Sequence, residues 1–286
     1  MGTRCRIVVY APSEPQAADA AEAAFGRIAE IEDALSDYRD HSEAARLMRL
    51  PPDRWHPVSV DLAAVLHRAR RVYAASDGAF DPTVGPLTRL WRRARADARL
   101  PPDETLRAAR ARVGMHRIET SDDQRVRFDT PGMALDFGGI GKGYAADEAM
   151  AVLRAAGFGS AMVDFGGDLV LGDAPPDRPD GWRVDVRVGL GRPRTVHLVN
   201  AAVAGSGDLE QFVAIDGVRY AHIVDPRTGL GLTRRTAATV IADSGWLADA
   251  LASAACVLGP EGAGRLRAAF PQTTIEVTAA ADDAGP

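Results

Sequence analysis

Three short segments carry residues suited to phosphate, metal and acid–base chemistry. The first is Ala134-Leu135-Asp136-Phe137-Gly138-Gly139-Ile140-Gly141-Lys142-Gly143-Tyr144. A short apolar run ends at Asp136, a glycine-rich turn follows, and a helix is expected to begin near Gly143. Glycines let backbone come close to a ligand, helix-start N–H groups attract anions, and Lys142 adds a full positive charge. The P-loop pattern is not met. Asp136 stands where its first glycine belongs, and Gly143 where its hydroxyl belongs. The Rossmann glycine pattern fails in this register as well. A tight strand-to-helix turn would account for the same residues.

The second segment is Tyr220-Ala221-His222-Ile223-Val224-Asp225-Pro226-Arg227-Thr228-Gly229. A strand is expected over Tyr220–Val224, with His222 and Val224 on one face and Ile223 and Asp225 on the other. An imidazole can act as a general base near neutral pH; a capped turn is the alternative. The third segment is Ala248-Asp249-Ala250-Leu251-Ala252-Ser253. Asp249 and Ser253 stand one helical turn apart and share a face. Two oxygens stacked in this way suit Mg²⁺, a hard cation that takes oxygen ligands. The alternative for Asp249 is a helix-start charge that complements the dipole. Gly78-Ala79-Phe80-Asp81-Pro82-Thr83-Val84-Gly85-Pro86-Leu87 reads as a rigid loop before a helix, and Val163–Leu169 as a glycine turn between two strands.

These segments need a scaffold, and the composition supplies one. The chain has 286 residues, 46% of them hydrophobic and 26% charged. That is long and apolar enough for a core without disulfides or structural metal, so a disordered chain is excluded. There are 34 basic and 39 acidic residues, a formal charge of −5, which argues against a nucleic-acid binder. The basic cluster Arg89–Arg99, interrupted by Asp97, reads as a solvated surface helix. Cys5 and Cys256 form no metal-ligand spacing, and Cys256 sits in an apolar run. The start Met1-Gly2-Thr3-Arg4-Cys5 has neither a basic n-region nor an apolar h-region. A cytoplasmic setting is therefore expected, or a periplasmic or anchored one if a leader has been removed. No apolar run is long enough to span a membrane.

Periodicity places a strand at Arg4–Tyr10 and helices at 16–35, 61–75 and 103–112. Beyond Arg125 the texture changes. Strands are expected at Arg125–Phe128, Ala161–Phe165, Asp168–Leu171, Arg183–Val188, Thr195–Val199, Gln211–Ile215, Tyr220–Val224 and Ala237–Ala242. Helices fall at 143–156, 246–258 and 261–269. Regular β–α–β alternation is absent, so the fold class is α+β. One domain over 1–278 is expected, helix-rich to about 120 and strand-rich after it, with 279–286 a disordered tail.

Together these segments resemble the FAD:protein FMN transferases, the ApbE family. Met1-Gly2-Thr3 looks like that family's opening motif, and Leu35-Ser36-Asp37-Tyr38-Arg39 like the segment carrying its flavin-contacting tyrosine. Gly78–Leu87 is close to its GAFDPTVGPL block, and Asp136–Tyr144 to its DLGGIAKGY block. Val163–Asp168 matches its glycine pair followed by Asp. Ser206-Gly207-Asp208 and His222–Gly229 match its SGD and HILDPRTG blocks, and Ala248–Ala252 its ADALAT helix. Gly205 stands where the family usually has Thr, Leu209 replaces a common aromatic, and Ser253 replaces a frequent Thr.

The resemblance implies a T-fold-like α+β structure of antiparallel sheets packed with helices, holding FAD between its two parts. It implies an enzyme that splits FAD at the pyrophosphate, transfers FMN to a Thr or Ser hydroxyl of an acceptor flavoprotein, and releases AMP. Carried over by position, Met1, Tyr38, Ala79, Phe80, Asp81, Asp136, Lys142 and Val224 would line the FAD. Mg²⁺ would take the Gly139 carbonyl, the Asp249 carboxylate and the Ser253 hydroxyl. His222, with Asp225 nearby, would activate the acceptor hydroxyl. Two other readings use the same site: hydrolysis of FAD to FMN and AMP, and flavin binding without catalysis.

Overall fold

The computed structural model describes residues 3–187, 191–207 and 212–280. The first part of the chain contributes β1 (Cys5–Val9), then helices α1 (Glu14–Leu35) and α2 (Glu43–Leu47). It continues with β2 (His56–Pro57), α3 (Val60–Ser76), α4 (Gly85–Asp97) and α5 (Asp103–Arg110), and closes with β3 (Ile118–Thr120) and β4 (Arg125–Phe128). Then follow α6 (Gly141–Ala155), β5 (Ala161–Phe165), β6 (Asp168–Leu171), β7 (Trp182–Val186), β8 (Arg194–Leu198) and β9 (Ala201–Gly207). The chain ends in β10 (Phe212–Ile215), β11 (Val218–Ala221), β12 (Arg235–Ala242), α7 (Gly245–Ala269) and β13 (Thr274–Ala280).

The central sheet is six-stranded and antiparallel throughout, in the order β1-β5-β6-β9-β12-β13. Side chains alternate across it, as the strand period of two requires. Ile7, Val163, Val170, Ala202, Ala204 and Val240 face the main core. Val8, Met162, Leu171, Val203 and Ile241 face the other way, where the β7–β8 hairpin covers them with Trp182, Val184 and Val186. Against the first face lie α6 and α7, themselves covered by α1 and α3. α7 is apolar nearly all round, as a helix enclosed between a sheet and another helix must be. One core therefore joins the helix-rich and strand-rich parts, and the expected α+β architecture is the one observed.

Several boundaries differ from expectation for identifiable reasons. β9, the strand paired with β6 and β12, was not anticipated. Its sequence Ala-Ala-Val-Ala-Gly-Ser-Gly has little intrinsic strand preference, and its small side chains let α7 pack closely. The expected disordered tail is strand as far as Ala280, because Ala279 and Ala280 pair with Thr236 and Arg235 of β12. Residues 281–286 lie outside the described set, as do Val188 and Gln211, which were expected to lie in strands. The two expected helices 246–258 and 261–269 are the halves of α7, broken at Gly259 (φ 72°) before Pro260. The β10–β11 hairpin turns on Asp216-Gly217, both at positive φ, as a tight hairpin loop requires. Among the described residues no helix is long and apolar enough to cross a membrane.

Candidate active site

A cleft of about 580 Å³ opens between the two parts of the chain. One wall is the 136–142 turn with the first turns of α6 and α7. The opposite wall is α4 with the loop that leads into it. The ends of β9 and β11 close the sides.

The two helix starts that make the first wall are locked together. A Cβ at Gly143 would stand 2.1 Å from the Gly245 carbonyl oxygen, so only glycine lets α6 and α7 cross this closely. Each helix satisfies free N–H groups of the other. Asp147 of α6 accepts from the Gly245 and Trp246 N–H groups at 2.6 and 2.9 Å. Asp249 of α7 accepts from the Gly143 N–H at 3.2 Å. Ser244, the residue before α7, makes no side-chain cap of its own. Burial pushes the Asp147 carboxyl up to about 6, although the two N–H groups pull it down.

At this crossing Lys142 meets two carboxylates. Its ammonium pairs with Asp168 and lies 3.2 Å from Asp249. Asp168 also accepts the Gly205 N–H at 3.2 Å, tying β9 to the cluster. Burial pushes Asp168 up to about 6, and the neighbouring Asp249 adds to the rise while Lys142 opposes it. Burial alone would lower Lys142, but Asp249 and Asp168 outweigh it and hold the ammonium above its ordinary value.

The same crossing presents oxygens to a cation. A Cβ at Gly139 would stand 2.6 Å from Ser253 Oγ, so the turn backbone lies directly against that hydroxyl. Asp249 is one turn earlier on α7 and 4% exposed. Two carboxylates against one ammonium leave a net negative charge, which suits a hard dication. Among the described residues no group of three or more His, Cys, Asp or Glu could hold a metal. A metal here would therefore need carbonyl or hydroxyl oxygens in addition to carboxylates, and Gly139, Ser253 and Asp249 are residues of the cleft lining that carry such groups.

Asp136 anchors the turn to the far wall. Its Oδ1 accepts the Gly138 N–H at 2.9 Å, and its Oδ2 accepts the Thr88 hydroxyl at 2.7 Å and Arg92 at 3.4 Å. Arg92 also holds Asp37 at 2.6 Å, and its guanidinium lies 4.2 Å from the Tyr38 ring centroid. Burial, then Asp136, pushes the Asp37 carboxyl up against the pull of Arg92. Tyr38 is 73% exposed. Its ring thus lines the cleft with most of its surface uncovered. In the loop before α4, Ala79, Phe80 and Asp81 line the cleft. Asp81 is buried and fully engaged, accepting from the Thr83 N–H and hydroxyl at 2.8 and 2.6 Å and from the Met115 N–H at 3.1 Å. Burial raises its carboxyl despite these bonds. The Asp136 N–H donates to the Pro82 carbonyl at 2.7 Å, fastening this loop to the glycine turn.

His222 lines the cleft, but not on a strand. β11 ends at Ala221, and the chain bends before Val224 bridges Gly231. The alternation expected for 220–224 therefore does not apply beyond Ala221. Val224 is 6% exposed and packs with Leu87, Trp91 and Ala94 beneath the cleft floor it helps to line. Asp225 stands apart from the cleft lining. Its oxygens accept from Arg227 Nε and Nη2 at 2.9 and 2.8 Å and from the Arg227 N–H at 2.9 Å. It shapes the turn that carries His222.

Of the expected site residues, the cleft lining brings together Tyr38, Ala79, Phe80, Asp81, Asp136, Gly139, Lys142, His222, Val224, Asp249 and Ser253. Met1 and the Asp208 of the SGD segment lie outside the described residues. The basic cluster expected as a solvated surface helix is the body of α4. That helix buries Leu87, Trp91 and Ala94 and turns Thr88, Arg92 and Arg95 into the cleft, so the basic cluster is not merely a solvated face. Their spacing of one and then two helical turns was the available signal.

Comparison with known proteins places the chain in a family. A family model described as the ApbE family matches residues 1–277. The FAD:protein FMN transferase of Treponema pallidum is 34% identical over 293 aligned positions, covering 95% of this chain and 80% of the relative. That of Vibrio cholerae is 33% identical over 240, covering 81% and 71%. The solved structure of the flavin transferase ApbE from Vibrio cholerae superimposes with a TM-score of 0.88 at 30% identity, covering 99% of this chain and 92% of that one. By its sequence and its fold, the chain belongs to the ApbE family.

Proposed function

We propose that this transferase moves the FMN moiety of FAD onto a Thr or Ser hydroxyl of an acceptor flavoprotein in a Mg²⁺-dependent reaction that releases AMP. The observation that carries the reading is the convergence of the Gly139–Lys142 turn and the Asp249–Ser253 face of α7 on one cleft. FAD:protein FMN transferases are among the chain's relatives, which supports the same substrate.

In this reading Gly139, Asp249 and Ser253 hold the metal, and Mg²⁺ when bound neutralises charge on the diphosphate oxygens. Lys142 is kept protonated by Asp168 and Asp249 and adds positive charge on the same side of the cleft. Tyr38, Ala79, Phe80 and Val224 offer flat or apolar surface to the flavin nucleotide. The acceptor oxygen attacks the FMN phosphorus, the bond to the bridging oxygen breaks, and AMP leaves with that oxygen. His222 takes the hydroxyl proton, since an unassisted hydroxyl is a weak nucleophile. Asp225 contributes by holding the turn through Arg227.

The test is incubation with FAD, Mg²⁺ and an FMN-acceptor domain, followed by denaturing electrophoresis. A fluorescent, covalently labelled acceptor with equimolar AMP is the expected result. AMP without labelling would make the protein a hydrolase, and FAD binding without AMP would make it a flavin carrier; either overturns the proposal.

A further inference from the structure

Among the described residues one lysine and two arginines line the cleft, and two of the three are already neutralised. Lys142 faces Asp168 and Asp249, and Arg92 faces Asp37 and Asp136. The third, Arg95, has no hydrogen bond or ion pair among the described residues. It is held in place all the same. Arg95 follows Ala94, which is buried against the Val224 cluster, and Trp91 bonds the Gly229 carbonyl at 2.8 Å, so α4 cannot rotate freely. Thr88, Arg92 and Arg95 form one stripe on the helix, and only the first two meet acidic partners across the cleft. A basic residue in the last turn complements the helix dipole, but that role does not require it to face a cleft.

We infer that Arg95 is a specificity-determining contact that takes a phosphate oxygen of the nucleotide substrate, as the one lysine or arginine of the cleft lining that has no carboxylate partner among the described residues. The inference rests on the proposed use of a dinucleotide. A guanidinium can donate two parallel N–H bonds to a phosphate, which a neutral side chain at this position cannot reproduce. It also explains why the α4 wall is basic while the opposite wall, with Asp168 and Asp249 against Lys142, carries the negative charge suited to a metal.

The experiment measures FAD affinity by fluorescence in the intact protein with Mg²⁺, for wild type and for Arg95→Gln, Arg95→Lys and Arg93→Gln. Arg93 is exposed and absent from the cleft wall, so it reports any general field effect. Unchanged thermal melting establishes that each variant is folded. Expected are a loss of about 10- to 100-fold for Arg95→Gln, partial recovery with Arg95→Lys, and no change for Arg93→Gln. Unaltered FAD affinity in Arg95→Gln, equal loss in the Gln and Lys variants, or equal loss at position 93 would each overturn the inference. So would unchanged FAD affinity with a raised KM for the acceptor domain, which would assign Arg95 to the acceptor. The proposed function fails separately, if the wild type binds FAD but never labels the acceptor.

Discussion

Gly143 and Gly245 touch backbone to backbone where α6 crosses α7, and the bonds from Asp147 and Asp249 hold that crossing from both sides. Lys142 and Asp249, the charged pair at the cleft, lie within one turn of this contact. The distance between them is therefore set by the absence of two side chains.

Gly143→Ala is expected to be strongly destabilising, by roughly 2–4 kcal/mol, because the added methyl meets a carbonyl that cannot rotate away. Urea unfolding measures this. A loss below about 0.5 kcal/mol would show that the crossing is looser than described. Any residual folded protein should also bind FAD more weakly, since α6 and α7 would be pushed apart.

Asp249→Ala should abolish Mg²⁺-dependent turnover, because it removes the one carboxylate of the proposed ligand set. It also deprives Lys142 of a partner and leaves the Gly143 N–H unbonded. Asp249→Asn separates these effects: it can keep the bond to Gly143 while losing the charge. A Mg²⁺ titration of activity that is unchanged in both variants would remove Asp249 from the metal site.

His222→Ala is expected to retain FAD affinity and lose transfer by on the order of 10²–10⁴-fold. Single-turnover labelling and equilibrium FAD binding, measured on the same preparation, separate the two quantities. Loss of affinity with an unchanged labelling rate would make His222 a binding contact and not a base.

Asp147 makes a prediction about pH. Its carboxyl stands near 6 in the folded protein and near 4 in an unfolded chain. The native state therefore binds this proton more tightly. Its stabilising contribution is fully present below about pH 4 and is lost as pH rises through about 6. Replacing it by Asn removes the titration. Between pH 4 and pH 7 the stability of Asp147→Asn relative to wild type should shift in the variant's favour by about 2–3 kcal/mol. Denaturant unfolding at the two pH values checks this, and a relative stability that does not change with pH would contradict the buried carboxyl.

Much of the fold was readable from local pattern. The helical spacing of Ile28, Ile31 and Leu35 in α1 and the alternation of Val184 and Val186 in β7 report which face is buried, and those elements appear within two residues of the expected bounds. β9 was not legible, because alanine and glycine carry no strand signal; what makes it a strand is pairing with β6 and β12 on either side. The bend after Ala221 was equally hidden. It depends on Val224 bridging Gly231 and on Arg227 closing over Asp225, contacts that a period of two cannot anticipate.

The amino-acid order by itself determined the chemical inventory: a glycine turn ending in Lys142, a helix with Asp249 and Ser253 on one face, and His222 in a Pro- and Asp-containing turn. Those are properties of type and spacing along one element, which sequence records directly. Only the tertiary structure decided which of these groups meet, and which charges are spent within the protein. Lys142, Asp168 and Asp249 lie far apart in sequence and become one cluster because two helices and a sheet pack on a shared core. Arg95 belongs to the cleft because burial of Leu87, Trp91 and Ala94 fixes the rotation of α4, and that rotation is settled by the residues of other elements.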